Sequence, residues 1–153
     1  MKTWWLAVLG WIGVIFFSST STASLWCESA FSFLSGIFIS NVPRDSTSFG
    51  AIHLAADKGL HVTLFAVLAL LLYRAMANPR HKIIRILSFG LVVGCCSEYL
   101  QSFFPDRDPA IRDVFINLSG TGLGIVLHLL WSRPAGTGIQ EAQEYTLSRS
   151  DGQ

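Results

Sequence analysis

Four short groups of residues in this chain have the types and spacing to do chemistry: Asp57-Lys58-Gly59-Leu60-His61, Glu98-Tyr99-Leu100-Gln101, Arg107, and Asp113-Val114-Phe115-Ile116-Asn117. A guanidinium such as Arg107 suits phosphate or carboxylate, because its planar fork matches both. Gln101 and Asn117 offer neutral hydrogen bonds, and His61 beside Glu98 would suit general acid–base work. Each group adjoins a long apolar run, where charged side chains are expensive unless paired. The question is which elements could bring them together.

The composition describes a membrane protein. Of 153 residues, 51% are hydrophobic and 14% charged, and the mean hydropathy is +0.47. Soluble domains carry about a quarter of their residues as charged side chains. The length allows one domain, and a net charge of +1 without a basic stripe excludes nucleic acid as a partner. Cys27, Cys95 and Cys96 form neither a zinc spacing nor an even disulfide framework, so Cys95 and Cys96 read as small core filler. No metal or cofactor motif is present.

Apolar periodicity predicts an all-α polytopic bundle of four spans, at about 3–19, 60–77, 83–100 and 114–131, within a domain covering 1–132. Trp4 and Trp5 open the first span as interfacial anchors, and Ser18 to Ser24 follow it. The same segment has the look of a signal peptide with a site near Ala23 or Ser24; a retained helix is the preferred reading. Between the first two spans, residues 25–42 place Trp26, Ala30, Phe33, Leu34, Ile37 and Phe38 opposite Glu28, Ser29, Ser32 and Ser35. That pattern predicts an amphipathic helix lying in the interface. A loop is expected up to Ala56, with Asp57 capping the second span. Gly90 and Gly94 on the third span, and Gly120 and Gly124 on the fourth, permit close helix packing. Residues 133–153 read as a disordered tail, cytoplasmic in the orientation derived next.

The connection after the second span carries Arg74, Arg80, Lys82 and Arg85 and no acid, so the positive-inside rule places it in the cytoplasm. Alternation then puts both termini inside the plasma membrane. It also brings Asp57, Lys58, His61, Glu98, Gln101, Arg107, Asp113 and Asn117 to the outer boundary. Asp57 and His61, Glu98 and Gln101, and Asp113 and Asn117 each share one face of a helix. Asp113, Asn117, Gly120 and Gly124 continue as a single stripe, which should face the bundle.

These residues resemble the pattern of the VanZ-like family, small bacterial membrane proteins named for a teicoplanin-resistance protein. The matching motifs are Asp57-Lys58-Gly59-Leu60-His61, Glu98-Tyr99-Leu100-Gln101, Pro105-Asp106-Arg107, and Asp113 through Asn117 to Gly120, in order and spacing. The resemblance is strong over 57–131 and weaker over the first helix with Ser18-Ser19. It implies an association with the cell envelope and with glycopeptide sensitivity, and supplies no reaction.

Three functions fit these residues. An outward-facing pocket would bind a lipid head group or a lipid-linked envelope precursor, with Arg107 on its anionic group and the 25–42 helix as a wall. A membrane enzyme would use His61 and Glu98 as acid and base on an envelope lipid. A proton-coupled transporter would need carboxylates in the opposite halves of the spans, where the sequence has none. The plain structural alternative pairs Asp57, Glu98 and Asp113 with Lys58, His61 and Arg107 to fix helix register. Glu98 in particular needs a partner, for which His61, Lys58 and Arg107 are the candidates. The bilayer is the one partner the sequence assigns; it leaves the oligomeric state undetermined.

Overall fold

The structure, a computed structural model, describes residues 2–38, 47–78, 80–105 and 109–132. Five helices account for nearly all of these: α1 (Lys2–Ser18), α2 (Ser21–Phe38), α3 (Thr47–Ala75), α4 (Lys82–Gln101) and α5 (Ile111–Trp131). The expected residues 39–42 of the amphipathic helix, Arg107 and the tail lie outside the described residues.

α3, α4 and α5 are each long and apolar enough to cross a membrane. α1 and α2 meet at 79° and supply a fourth span if taken as one broken helix. The bend falls at Ser19 and Thr20, where hydroxyls compete with the helical ladder: Ser18 Oγ donates to the Ile15 carbonyl at 2.7 Å and Thr20 Oγ1 to that of Phe17. Thr20 Oγ1 also accepts from the Ala23 N–H at 3.4 Å, starting α2 in its new direction. α2 leaves Trp26, Phe33, Leu34 and Ile37 exposed. A bare apolar face on a helix turned away from the bundle suits the membrane interface.

One boundary departs from the sequence reading. The segment Thr47 to Ala56, expected as a loop, forms the first turns of α3. Thr47, Ser48 and Gly50 are poor helix formers, yet Ala51, Leu54, Ala55 and Ala56 favour helix. Phe31 of α2 also covers this stretch, with ring centroids 5.6 Å from Phe49 and 4.8 Å from His53. Asp57 is therefore well inside a helix and caps nothing.

The bundle runs up and down. Trp4 of α1 meets Arg74 at the end of α3, while Ser19 meets Ser97 near the end of α4. α1 is thus antiparallel to α3, and α3 is parallel to α5 with α4 returning between them. The core consists of Val8 and Ile15 from α1, Phe65, Leu68 and Leu72 from α3, Ile86 and Val93 from α4, and Ile125 from α5. Trp11 ties α1 to α3 by donating its indole N–H to the Leu64 carbonyl at 2.8 Å. Cys95 and Cys96 are exposed on α4 and do not fill the core: the helix turns Gly90, Val93, Gly94 and Ser97 inward instead.

The closest approach is between α3 and α5. A Cβ at Gly120 would sit 2.5 Å from the Val62 carbonyl oxygen and 2.9 Å from Val62 Cα. One at Gly124 would collide with the Ala66 carbonyl. On α4, Gly90 lies against Thr121 and Gly94 against Asn117. Gly90, Gly120 and Gly124 thus leave no room for a Cβ, while one at Gly94 would make ordinary contact at 3.4 Å; without a hydrophobic drive between helices such close approach is a main source of cohesion.

Gly122 has nothing near its missing Cβ, which gives a matched pair for testing. Gly120→Ala should lower the unfolding free energy in mixed micelles by about 1–3 kcal/mol, because backbone must move. Gly122→Ala should be neutral or stabilise by up to about 1 kcal/mol through helix propensity. Equal effects at the two positions would contradict the α3–α5 contact.

Candidate functional site

Because α3 and α5 run parallel, the polar residues Asp57 to His61 within α3 meet those at the start of α5. Lys58 Nζ donates to Asp113 Oδ2 at 2.6 Å and lies 3.3 Å from Asp57 Oδ2. Asp113 sits in the first turn of α5, where a carboxylate complements the positive end of the helix dipole. Its other oxygen, Oδ1, is 3.6 Å from Arg112 Nε. Arg112 is largely exposed, so that contact is screened by solvent.

One turn deeper, His61 Nδ1 is 3.3 Å from Asn117 Oδ1. His61 is 6% exposed and Asn117 fully buried. With Oδ1 as the acceptor, Nδ1 carries the ring proton and Nε2 of the neutral ring is an acceptor. The Asn117 backbone carbonyl accepts from Thr121 Oγ1 at 3.1 Å. The amide nitrogen of Asn117 is buried and makes no hydrogen bond among the described residues. Such an unused donor marks a place able to take a further acceptor.

Glu98 makes a contact that charge pairing alone does not anticipate. Its Oε2 accepts the backbone N–H of Ala110 at 3.2 Å. Ala110 is the extended residue before α5, and α5 has no side-chain cap of its own there. The carboxylate therefore ties the end of α4 to the beginning of α5 and adds negative charge at that helix terminus. Two of its expected partners are engaged elsewhere, Lys58 with Asp57 and Asp113, and His61 with Asn117. Arg107, the third, lies outside the described residues. Gln101 is buried one turn further along α4.

Two contributors escaped sequence reasoning. Ala110 matters through its backbone alone, which no residue-type signal reveals. Ser19 and Ser97 are both fully buried, with hydroxyls 3.3 Å apart, joining α1 to α4 beside Glu98. The serine pair Ser18-Ser19 was visible in the chain, but only the bundle shows its partner.

A cavity of about 240 Å³ opens between α2 and α3 against this cluster. Glu28 and Phe31 line it from α2, and His53, Asp57 and His61 from α3. α2 thus forms one wall of this cavity. Among the described residues, no three His, Cys, Asp or Glu side chains are grouped to hold a metal.

The helices, their packing and this buried polar cluster define a small multi-pass membrane protein of the helical-bundle class. The chain belongs to the VanZ/LLP1 family, whose family model matches residues 4–132. No curated protein and no solved structure matches it.

The two ion pairs of Asp113 should separate in a stability measurement. Lys58→Ala leaves a mostly buried carboxylate without its closest cation and should cost about 3 kcal/mol. Arg112→Ala should cost less than about 1 kcal/mol. Chemical unfolding followed by circular dichroism in micelles checks both, and similar losses would show that Lys58 is not the main partner.

Proposed function

We propose that this protein binds the polar head group of a cell-envelope lipid or lipid-linked precursor in the cavity walled by α2. The observation that carries this reading is the opening of that cavity onto Asp57 and His61, which belong to the polar cluster joining α3 and α5. Membership of the VanZ/LLP1 family supports an envelope role. The basic residues Arg74, Arg80, Lys82 and Arg85 put their end of the bundle in the cytoplasm by the positive-inside rule. The cavity then faces outward across the plasma membrane, and both termini are cytoplasmic.

In this scheme Arg107, in the α4–α5 connection, holds a phosphate or carboxylate of the head group. Glu28 and Asp57 accept hydrogen bonds from its hydroxyl or amine groups, and Asn117 and Gln101 supply neutral polar contacts. Glu98 keeps the α4–α5 connection in place. The Lys58 pair acts mainly as a register device, holding α3 and α5 so that His61 reaches the cavity.

Binding of a fluorescent lipid-linked peptidoglycan precursor to the full chain in nanodiscs tests the reading. Arg107→Ala and His61→Ala should each weaken binding about tenfold or more, the loss expected for a hydrogen bond to a charged group. Folded Arg107→Ala and Glu98→Gln variants with unchanged binding would refute it.

A second reading, acid–base catalysis on an envelope lipid, is favoured by one contact. Asn117 holds His61 by Nδ1, which fixes the ring and leaves Nε2 as a base. Labelled envelope lipids recovered chemically unchanged after incubation with the purified protein, with or without divalent ions, would eliminate it.

A further inference from the structure

At the opposite end of the bundle a second space has a different character. Where Gly124 rests on Ala66, α3 and α5 touch through backbone. Beyond that point α5 carries Leu127, His128 and Trp131, and α3 carries Leu70, Leu71 and Arg74. These larger side chains hold the helices apart, and a slot of about 630 Å³ opens between them. Its inner walls are apolar, and Arg74, His128 and Trp131 surround its mouth.

The charge at that mouth is one-sided. Every described carboxylate, Glu28, Asp57, Glu98 and Asp113, belongs to the other half of the molecule. Arg74 makes no ion pair among the described residues. Its guanidinium lies 5.2 Å from the Trp4 ring centroid. Stacking uses a face of the group and leaves its in-plane N–H edges for an anion. Lys82 adds a second cation nearby, 4.1 Å from the Tyr73 ring, and His128 stacks on Tyr73 with centroids 3.8 Å apart. His128 Nε2 is 3.1 Å from Ser132 Oγ, fixing the imidazole at the slot.

We propose that this slot seats an anionic phospholipid, with an acyl chain along Leu70, Leu71 and Leu127 and the phosphate at Arg74. Charge complementarity selects an anion, and apolar walls directly below the cation select one that carries a hydrocarbon chain. Leu127, which lines the slot, is exposed on the outer side of α5, so the slot faces the region where acyl chains run. Trp131, 93% exposed, stands where an indole favours the membrane–water boundary. The site is separate from the cavity at α2 and does not depend on the function assigned there.

Native mass spectrometry of the detergent-purified full chain tests it, by titration with phosphatidylglycerol and phosphatidylcholine of identical acyl chains. The wild type should retain phosphatidylglycerol with a preference of about fivefold or more, the value of one cation near a phosphate. Arg74→Gln should abolish that preference. Leu127→Trp, which fills the slot and keeps the charge, should reduce retention of phosphatidylglycerol and serves as an independent check if the Arg74 change prevents folding. Millimolar glycerol phosphate should not displace the lipid. Equal retention of the two lipids, an undiminished preference in Arg74→Gln, unchanged binding in Leu127→Trp, or displacement by glycerol phosphate would each overturn the proposal.

Discussion

Gly120 and Gly124 rest on the backbone of α3 at Val62 and Ala66, and the rest of the structure follows from that contact. Two parallel helices cannot be this close unless one of them lacks side chains along the seam. Once they are, their register is fixed over several turns. Lys58 falls beside Asp113, His61 beside Asn117, Val62 beside Gly120, Ala66 beside Gly124, and Tyr73 beside His128. A polar pair, a neutral hydrogen bond, two backbone contacts and a ring stack succeed each other down one interface. Small residues provide the cohesion, and the polar pairs select one register among those that packing alone would permit. Buried ion pairs are best attested in this role, because their desolvation offsets much of their attraction.

The same seam explains why the molecule has two different ends. Above the glycines, the helices present polar groups to a cavity that α2 closes from the side. Below them, a slot opens between the helices and, among the described residues, cations gather there without carboxylates. α4 completes the arrangement from the third side: Gly90 and Gly94 let it lie against Thr121 and Asn117, which carries Glu98 to the start of α5. The polar cluster thus joins the interior of α3 to the end of α4 and the start of α5, whose positions are set by contacts deeper in the apolar region.

Much of this could be read from residue order. Apolar run lengths mark the membrane-spanning helices, and the Asp113–Asn117–Gly120–Gly124 stripe marks the buried face of α5. Two features resisted for identifiable reasons. The start of α3 was hidden because Gly50 and neighbouring hydroxyl residues signal a turn locally, while the helix is supported by Phe31 from a different element. One partner of Glu98 is hidden because it is a backbone N–H, and any residue type can supply one. Charge alone favours Lys58, His61 or Arg107 for that carboxylate, and Arg107 lies outside the described residues. Geometry instead gave Lys58 to the two aspartates and His61 to an amide. The placement of Cys95 and Cys96 also turned on helix rotation: glycines and Ser97 take the inward face of α4, so the thiols are left on the outer one.

The central claim is that α3 and α5 are locked in one parallel register by groups that touch across the seam. A double-mutant cycle between Lys58 and Asp113, using Lys58→Met and Asp113→Asn in unfolding experiments in micelles, measures that contact directly. The account predicts a coupling free energy above about 1 kcal/mol, within the range found for residues in direct contact. Additivity within about 0.5 kcal/mol, as for independent sites, would contradict it.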